Sequence, residues 1–386
     1  MKKSVLILAL VGMVLIICST SFAATTYVVT NDDNCNAASN TSSIYTLNTS
    51  NGALSLATTV KTGGLGNCGG FFAGVQSSIT QDAKCLYIVD GGSSDIAAFT
   101  TPALKKVGNY SNAAVNDAFP GGSMALTPNG KFLYVSYGGS LNIGAWKRNA
   151  DCSLTFINAY VAKTGADTYS NLVVDPSGKG LIVSVTDLNA LELFLINQTT
   201  GALTDLTSTN LNNLSACASA GCFPTGIDIT KGELAIVATA DNNAITTQLS
   251  GSKPYFTKVT YVDLSGVPLI NDETIWLSSA AYKTGAGPVY IGFSGDGGID
   301  PYGVMTATLS GSGLAVGPST AITSSPSGYI GLAESTGSWM VVSEWFNQLQ
   351  TFKINGDGTL TASAQGPVVD NNADGALSFF IYPNTR

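Results

Sequence analysis

The chain has 386 residues, 11% of them charged, a formal net charge of −8 and no histidine. Its only arginines are Arg148 and Arg386, so it offers no cationic patch for phosphate, nucleic acid or an anionic membrane. The absence of histidine excludes a Ser-His-Asp triad and any zinc site built on imidazole.

Residues 1–23 read as a secretory signal peptide: Lys2 and Lys3, an apolar run from Ser4 to Ile17, then the small residues of Ser21-Phe22-Ala23. Ile17 before Cys18 departs from a lipobox, which wants a small residue there, so export is favoured over lipid anchoring. No later apolar stretch is long enough to span a bilayer. Residues 24–386 are then expected to form one domain.

A unit of about 50 residues recurs along that domain, the length of a propeller blade built of short strands. It is clearest at TQDAKCLYIVD (80–90), TPNGKFLYVSY (127–137) and DPSGKGLIVSV (175–185). Each tract is a polar turn followed by a β-branched and aromatic strand. With strands lettered a to d from the axis outward, these are a–b turns. Others fall at 229–234, 280–289 and 334–339. The c–d turns fall at 49–52, 149–152, 199–201, 310–313 and 355–358, where Gly and Asn supply positive φ or a side-chain cap. NGDGT (355–359) has a calcium-like look, but its counterparts lack acids and a turn is the better reading. The first repeat lacks an inner strand, and residues 376–383 near the C-terminus match the missing pattern. The expected fold is therefore an all-β seven-bladed propeller of four-stranded antiparallel blades, closed by pairing the C-terminal strand with the N-terminal blade.

The runs 127–156 and 175–204 resemble the lactonase-like seven-bladed propellers, a superfamily that includes 6-phosphogluconolactonase/cycloisomerase-type and YVTN-repeat proteins. The resemblance extends over 26–386 and implies lactone hydrolysis by histidine, arginine and acidic side chains around the central mouth. With no histidine and only Arg148 internal, no catalytic residue maps onto this chain.

Six cysteines remain after cleavage, and an exported chain makes them a disulfide framework. The blade positions favour Cys217 with Cys222, Cys35 with Cys68, and Cys85 with Cys152. Strand b ends in or near an acid in six repeats: Asp32 (with Asp33), Asp90, Asp187, Asp241, Asp296 and Glu344; Tyr137 takes that place in the third. The b–c and inter-blade loops share one face. Those acids, with Asp117, Asp167, Asp272, Glu273 and Asp374, would ring the tunnel mouth and favour cations or neutral polyhydroxy ligands. Ordinary turn chemistry explains the same pattern, because Asp is a preferred turn residue. Asp296 and Asp300, four apart among glycines, are where a Ca²⁺ ion would fit; otherwise no cofactor is expected. Phe71, Phe72, Phe119, Phe223, Trp345 and Phe346 lie near the same rim, as sugar-stacking surfaces or inter-blade packing. The functional expectation is a monomeric binding module for a small molecule, glycan or protein, with a carboxylate-based lactone or sugar hydrolase as the alternative.

Overall fold

Five of the a–b turns open on Thr or Asp for one reason. The side-chain oxygen of that residue accepts the backbone N–H that starts strand b, which closes the hairpin locally. Cys85 donates to Thr80 at 3.1 Å, Phe132 to Thr127 at 3.1 Å, Lys179 to Asp175 at 2.9 Å, Leu234 to Thr230 at 3.1 Å and Trp339 to Thr336 at 3.0 Å. The computed structural model describes residues 25–36, 39–67, 74–115, 123–137, 142–161, 170–219, 221–230, 234–239, 243–249, 256–264, 288–293, 302–310, 313–322, 330–344, 347–374 and 377–383. The signal-like residues 1–23 lie outside them.

Seven antiparallel sheets follow, one per blade. The b strands are Thr26–Asn31, Cys85–Asp90, Phe132–Tyr137, Gly180–Val185, Leu234–Thr239, Pro288–Phe293 and Trp339–Glu344. They carry apolar residues without alternation because both faces of a blade pack on neighbouring blades; all six residues are buried in Cys85–Asp90, Phe132–Tyr137, Gly180–Val185 and Leu234–Thr239. The outer d strands instead leave one side in solvent, as in Leu54–Lys61, where only Leu54 is fully buried. In the sixth blade strands b, c and d are described. The ring closes as the sequence implies: Ser378–Tyr382 is strand a of the first blade, with Tyr27 opposite Tyr382 and Asn31 opposite Ser378. The C-terminal and N-terminal strands thus share one ladder.

One contact recurs between blades and explains the cadence of the repeat. An aromatic residue on strand b sends its polar tip to a backbone carbonyl of the next blade's c–d turn. Tyr87 donates to the Cys152 carbonyl at 3.1 Å, Tyr134 to Gly201 at 3.0 Å, and the Trp339 indole to Thr49 at 2.9 Å. These side chains are buried, so the bonds satisfy groups that would otherwise be costly to desolvate. The turn glycines are required at two of these seams. A Cβ on Gly201 (φ +76°) would lie 2.4 Å from the Phe132 ring, and one on Gly52 (φ +77°) 2.3 Å from Trp339. The seam between blades two and three adds a disulfide, Cys85–Cys152, and a two-point ion pair in which Arg148 grips Asp82 at 2.9 and 2.8 Å. Arg148 thereby holds Asp82 well below the usual carboxylate range. Cys217 pairs with Cys222 within one inter-blade loop. Cys35 is also disulfide-bonded, and Cys68 lies outside the described residues.

The two described bridges close loops of very different size, with sequence separations of 67 and 5. Loop entropy then makes the Cys85–Cys152 pair worth about 4 kcal/mol and the Cys217–Cys222 pair about 2 kcal/mol. Serine replacements of each pair, compared by urea unfolding, are expected to lower the midpoint about twice as far for Cys85–Cys152. Equal losses would show that seam packing, not chain entropy, sets their value.

Candidate functional site

The loop face is built where each strand b ends and strand c begins, joined there by the inter-blade loops. Asp32 and Asp90 follow from that geometry, but neither stands open at a mouth: both are fully buried in the seams that flank the first blade. Asp187 is exposed in the b–c loop of the fourth blade. Asp241, Asp296 and Asp300 lie outside the described residues, as do Asp117, Asp167, Asp272, Glu273 and the aromatics Phe71, Phe72, Phe119, Trp345 and Phe346. Glu344 closes strand b of the last blade. Asp374 is exposed, and its backbone N–H donates to the Asp32 carbonyl at 3.2 Å. Asp357 of the NGDGT tract caps its own turn, accepting from the Thr359 hydroxyl and N–H at 2.7 and 3.0 Å.

Asp32 faces a second carboxylate that the sequence pattern did not single out. Asp370 leaves the last outer strand at the same seam and is also buried. The Ser43 hydroxyl lies 3.1 Å from Asp32 Oδ2 and 3.2 Å from Asp370 Oδ1. One hydroxyl proton cannot serve both acids, so both contacts are hydrogen bonds only when one carboxyl is protonated. Tyr45 donates to Asp370 Oδ2 at 2.8 Å, while Thr41 donates to Asp32 Oδ2 at 2.6 Å and Thr30 to its Oδ1. Burial, then the nearby Asp370 charge, push Asp32 up to about 6 against the pull of those hydroxyls. Tyr45 is pushed far up by burial and by Asp370, so it remains a donor.

Asn40, the neighbour of Thr41, carries the network to the next seam. Its amide donates to Asp90 Oδ1 at 2.8 Å and to Asn31 Oδ1 at 2.7 Å. Asn31 in turn donates to Gln76 and to the Val89 carbonyl of the second blade, at 2.9 and 2.7 Å. Burial raises the Asp90 carboxyl well above its ordinary value, and Asp95 adds to that. Two of the predicted acids are thus joined through the consecutive residues Asn40 and Thr41. Asp33, held at φ +53°, accepts the Asn67 N–H at 2.6 Å and ties two loops together.

Two further features meet on this face. The Asn189 side chain accepts the N–H groups of Cys222 and Phe223, each at 3.1 Å, and fixes Phe223 at φ +48° with 37% of its surface exposed. A bulky residue at positive φ is uncommon and persists only where its surroundings enforce it. Phe223 directly precedes Pro224–Ile229, the inner strand of the fifth blade. Inner strands of blades one to five enclose an axial cavity of about 690 Å³. Gly74, Ser123 and Asn171 meet in its wall: a Cβ on Gly74 would lie 1.9 Å from Asn171 Oδ1 and 2.4 Å from Ser123 Oγ. Among the described residues no three His, Cys, Asp or Glu side chains gather as a metal site, and no helix is long and apolar enough to cross a membrane.

Fold and repeat together make the chain a seven-bladed β-propeller, and part of it is similar to one propeller family. The family model for lactonases with a seven-bladed β-propeller matches residues 77–219. A Bacteroides uniformis structure assigned provisionally as a 6-phosphogluconolactonase is similar at 11% identity and TM-score 0.66, covering 92% of this chain and 99% of that one. The periplasmic gluconolactonase of Pseudomonas aeruginosa is similar at 12% identity and TM-score 0.62, over 92% and 99%. A hypothetical selenium-binding protein of Sulfolobus tokodaii is similar at 10% identity and TM-score 0.62, over 92% of each. At these identities the likeness is one of fold. No curated protein matches the sequence.

The Asp32–Asp370 pair gives the closing seam a pH dependence of fixed sign. Asp32 is raised on folding from 3.8 to about 6, so the folded chain binds its proton more tightly than the unfolded chain. That contribution is complete below about pH 4 and is lost as pH rises through about 6. The loss amounts to about 3 kcal/mol. Asp370→Asn removes the opposing charge and is expected to flatten the fall in urea-unfolding stability between pH 4 and 7. A variant profile parallel to that of the parent chain would refute the coupling.

Proposed function

We propose that this propeller is an exported binding module whose loop face takes a neutral polyhydroxy ligand, either a glycan or a sugar lactone. The observation that carries this reading is Phe223, a partly exposed ring pinned at positive φ by Asn189 beside the Cys217–Cys222 bridge. An aromatic face offers a sugar ring an apolar surface without requiring charge, which suits a chain of net charge −8. Asp32 and Asp90 support the same face from below. Buried and hydrogen-bonded between blades, they stiffen the loops that would meet the ligand. The two described disulfides favour an oxidising compartment and so support export.

A second reading, lactone hydrolysis, is favoured by the family match over 77–219 and by the likeness to the Pseudomonas gluconolactonase. One experiment separates them. D-glucono-1,5-lactone and a panel of neutral oligosaccharides are titrated calorimetrically, and lactone opening is followed by proton release. Binding without acceleration over the spontaneous rate is expected, weakened about tenfold in Phe223→Ala. Catalysed opening would establish the hydrolase instead. Absence of binding by every probe would remove the glycan reading.

A further inference from the structure

The axial cavity extends from Gly74, Ser123 and Asn171 to residues of the a–b turns. Its far rim is formed by Gln81, Pro128, Gly130, Pro176 and Pro383. Between these ends the wall is mainly apolar, interrupted by Ser78, Thr127 and Asp228, and several apolar wall residues are only partly buried: Val75, Ile79, Leu126, Val173 and Phe380. Each of the first four packs one side into an inter-blade core, and the surface that core leaves uncovered is apolar. Elsewhere among the described residues apolar side chains of this size are mostly buried between blades, so several partly uncovered ones gathered around open space stand out.

The lining also defines the charge of what fits. Asp228 is its one charged residue among those described, and its Oδ1 accepts the Ile229 N–H at 2.8 Å. Among the described residues that line it there is no lysine or arginine to receive an anion. A strongly hydrated cation would lose its water against aliphatic side chains, which costs more than one engaged carboxylate returns. A volume of about 690 Å³ falls within the range of small-molecule sites. We propose that this channel is a second binding site, a chamber for one small neutral apolar molecule entered from the a–b turn face. It does not depend on the loop-face reading, because Phe223 is not among the residues that line the cavity.

The test uses N-phenyl-1-naphthylamine, a neutral fluorophore that brightens in apolar surroundings. Titration of the intact protein is expected to give saturable one-to-one binding, with the bound probe shielded from acrylamide. Leu126→Trp and Val173→Trp place bulk in the chamber and should each weaken binding at least tenfold, with melting curves verifying that they fold. Val161→Ser and Val369→Ser remove exposed apolar groups on outer strands and should leave binding unchanged. Failure to saturate, or a bound probe fully open to acrylamide, overturns the proposal on the parent chain alone. So do filled variants that bind like the parent, or a loss of binding in the outer-strand variants.

Discussion

Everything else in this molecule depends on the ladder between Ser378–Tyr382 and Thr26–Asn31. A ring of blades has no intrinsic stop; each blade buries its faces only if it has a neighbour on both sides. Pairing the chain's last strand with its first completes the first blade from both ends of the chain and holds it beside the seventh. The seam beside it is reinforced at both ends. On the turn side Gln365 makes two hydrogen bonds to the Leu54 backbone, at 2.7 and 2.8 Å, and Trp339 covers Gly52. On the loop side Asp32, Ser43, Asp370 and Tyr45 lock the seam with side-chain hydrogen bonds.

That arrangement explains why the repeat is strict in some positions and loose in others. The aromatic residue of strand b and the glycine of the c–d turn belong to different blades but to one contact. They must therefore change together or not at all. Tyr134 with Gly201 and Trp339 with Gly52 are two versions of the same solution, one phenolic and one indolic. At the Tyr87 seam the turn residue is Cys152, which also enters a disulfide. The resemblance to lactonase-like propellers rests on turns and core strands such as these, which carry fold and not chemistry.

The fold was legible because its signals are local. A Thr or Asp four to five residues before a strand, or an Asn-Gly pair between two apolar runs, specifies a turn without reference to the rest of the chain. The missing inner strand was legible for a similar reason, as a gap in one repeat and a surplus at the end of another. The acids were half legible. Strand-b ends are marked by Asp32 and Asp90, yet their burial depends on partners far away in sequence: Asp370 lies 327 residues from Ser43 and Asn40 lies 50 from Asp90. No window along the chain contains that information. The position of Phe223 was similarly hidden, since its backbone conformation is imposed by Asn189 across 34 residues.

The acids also show how burial changes what a repeated motif means. A ring of exposed carboxylates would be a cation funnel; two of its members, enclosed and hydrogen-bonded, instead hold the blades together. Desolvation raises their affinity for protons, so Asp32 and Asp90 are poorer sources of negative charge than the sequence count suggests. At these two positions the loop face carries less negative charge than the sequence count implies. The same economy of charge holds along the axis, where aliphatic edges line the channel. Carboxylates that the sequence counts as surface charge thus serve, at Asp32 and Asp90, to hold neighbouring blades together.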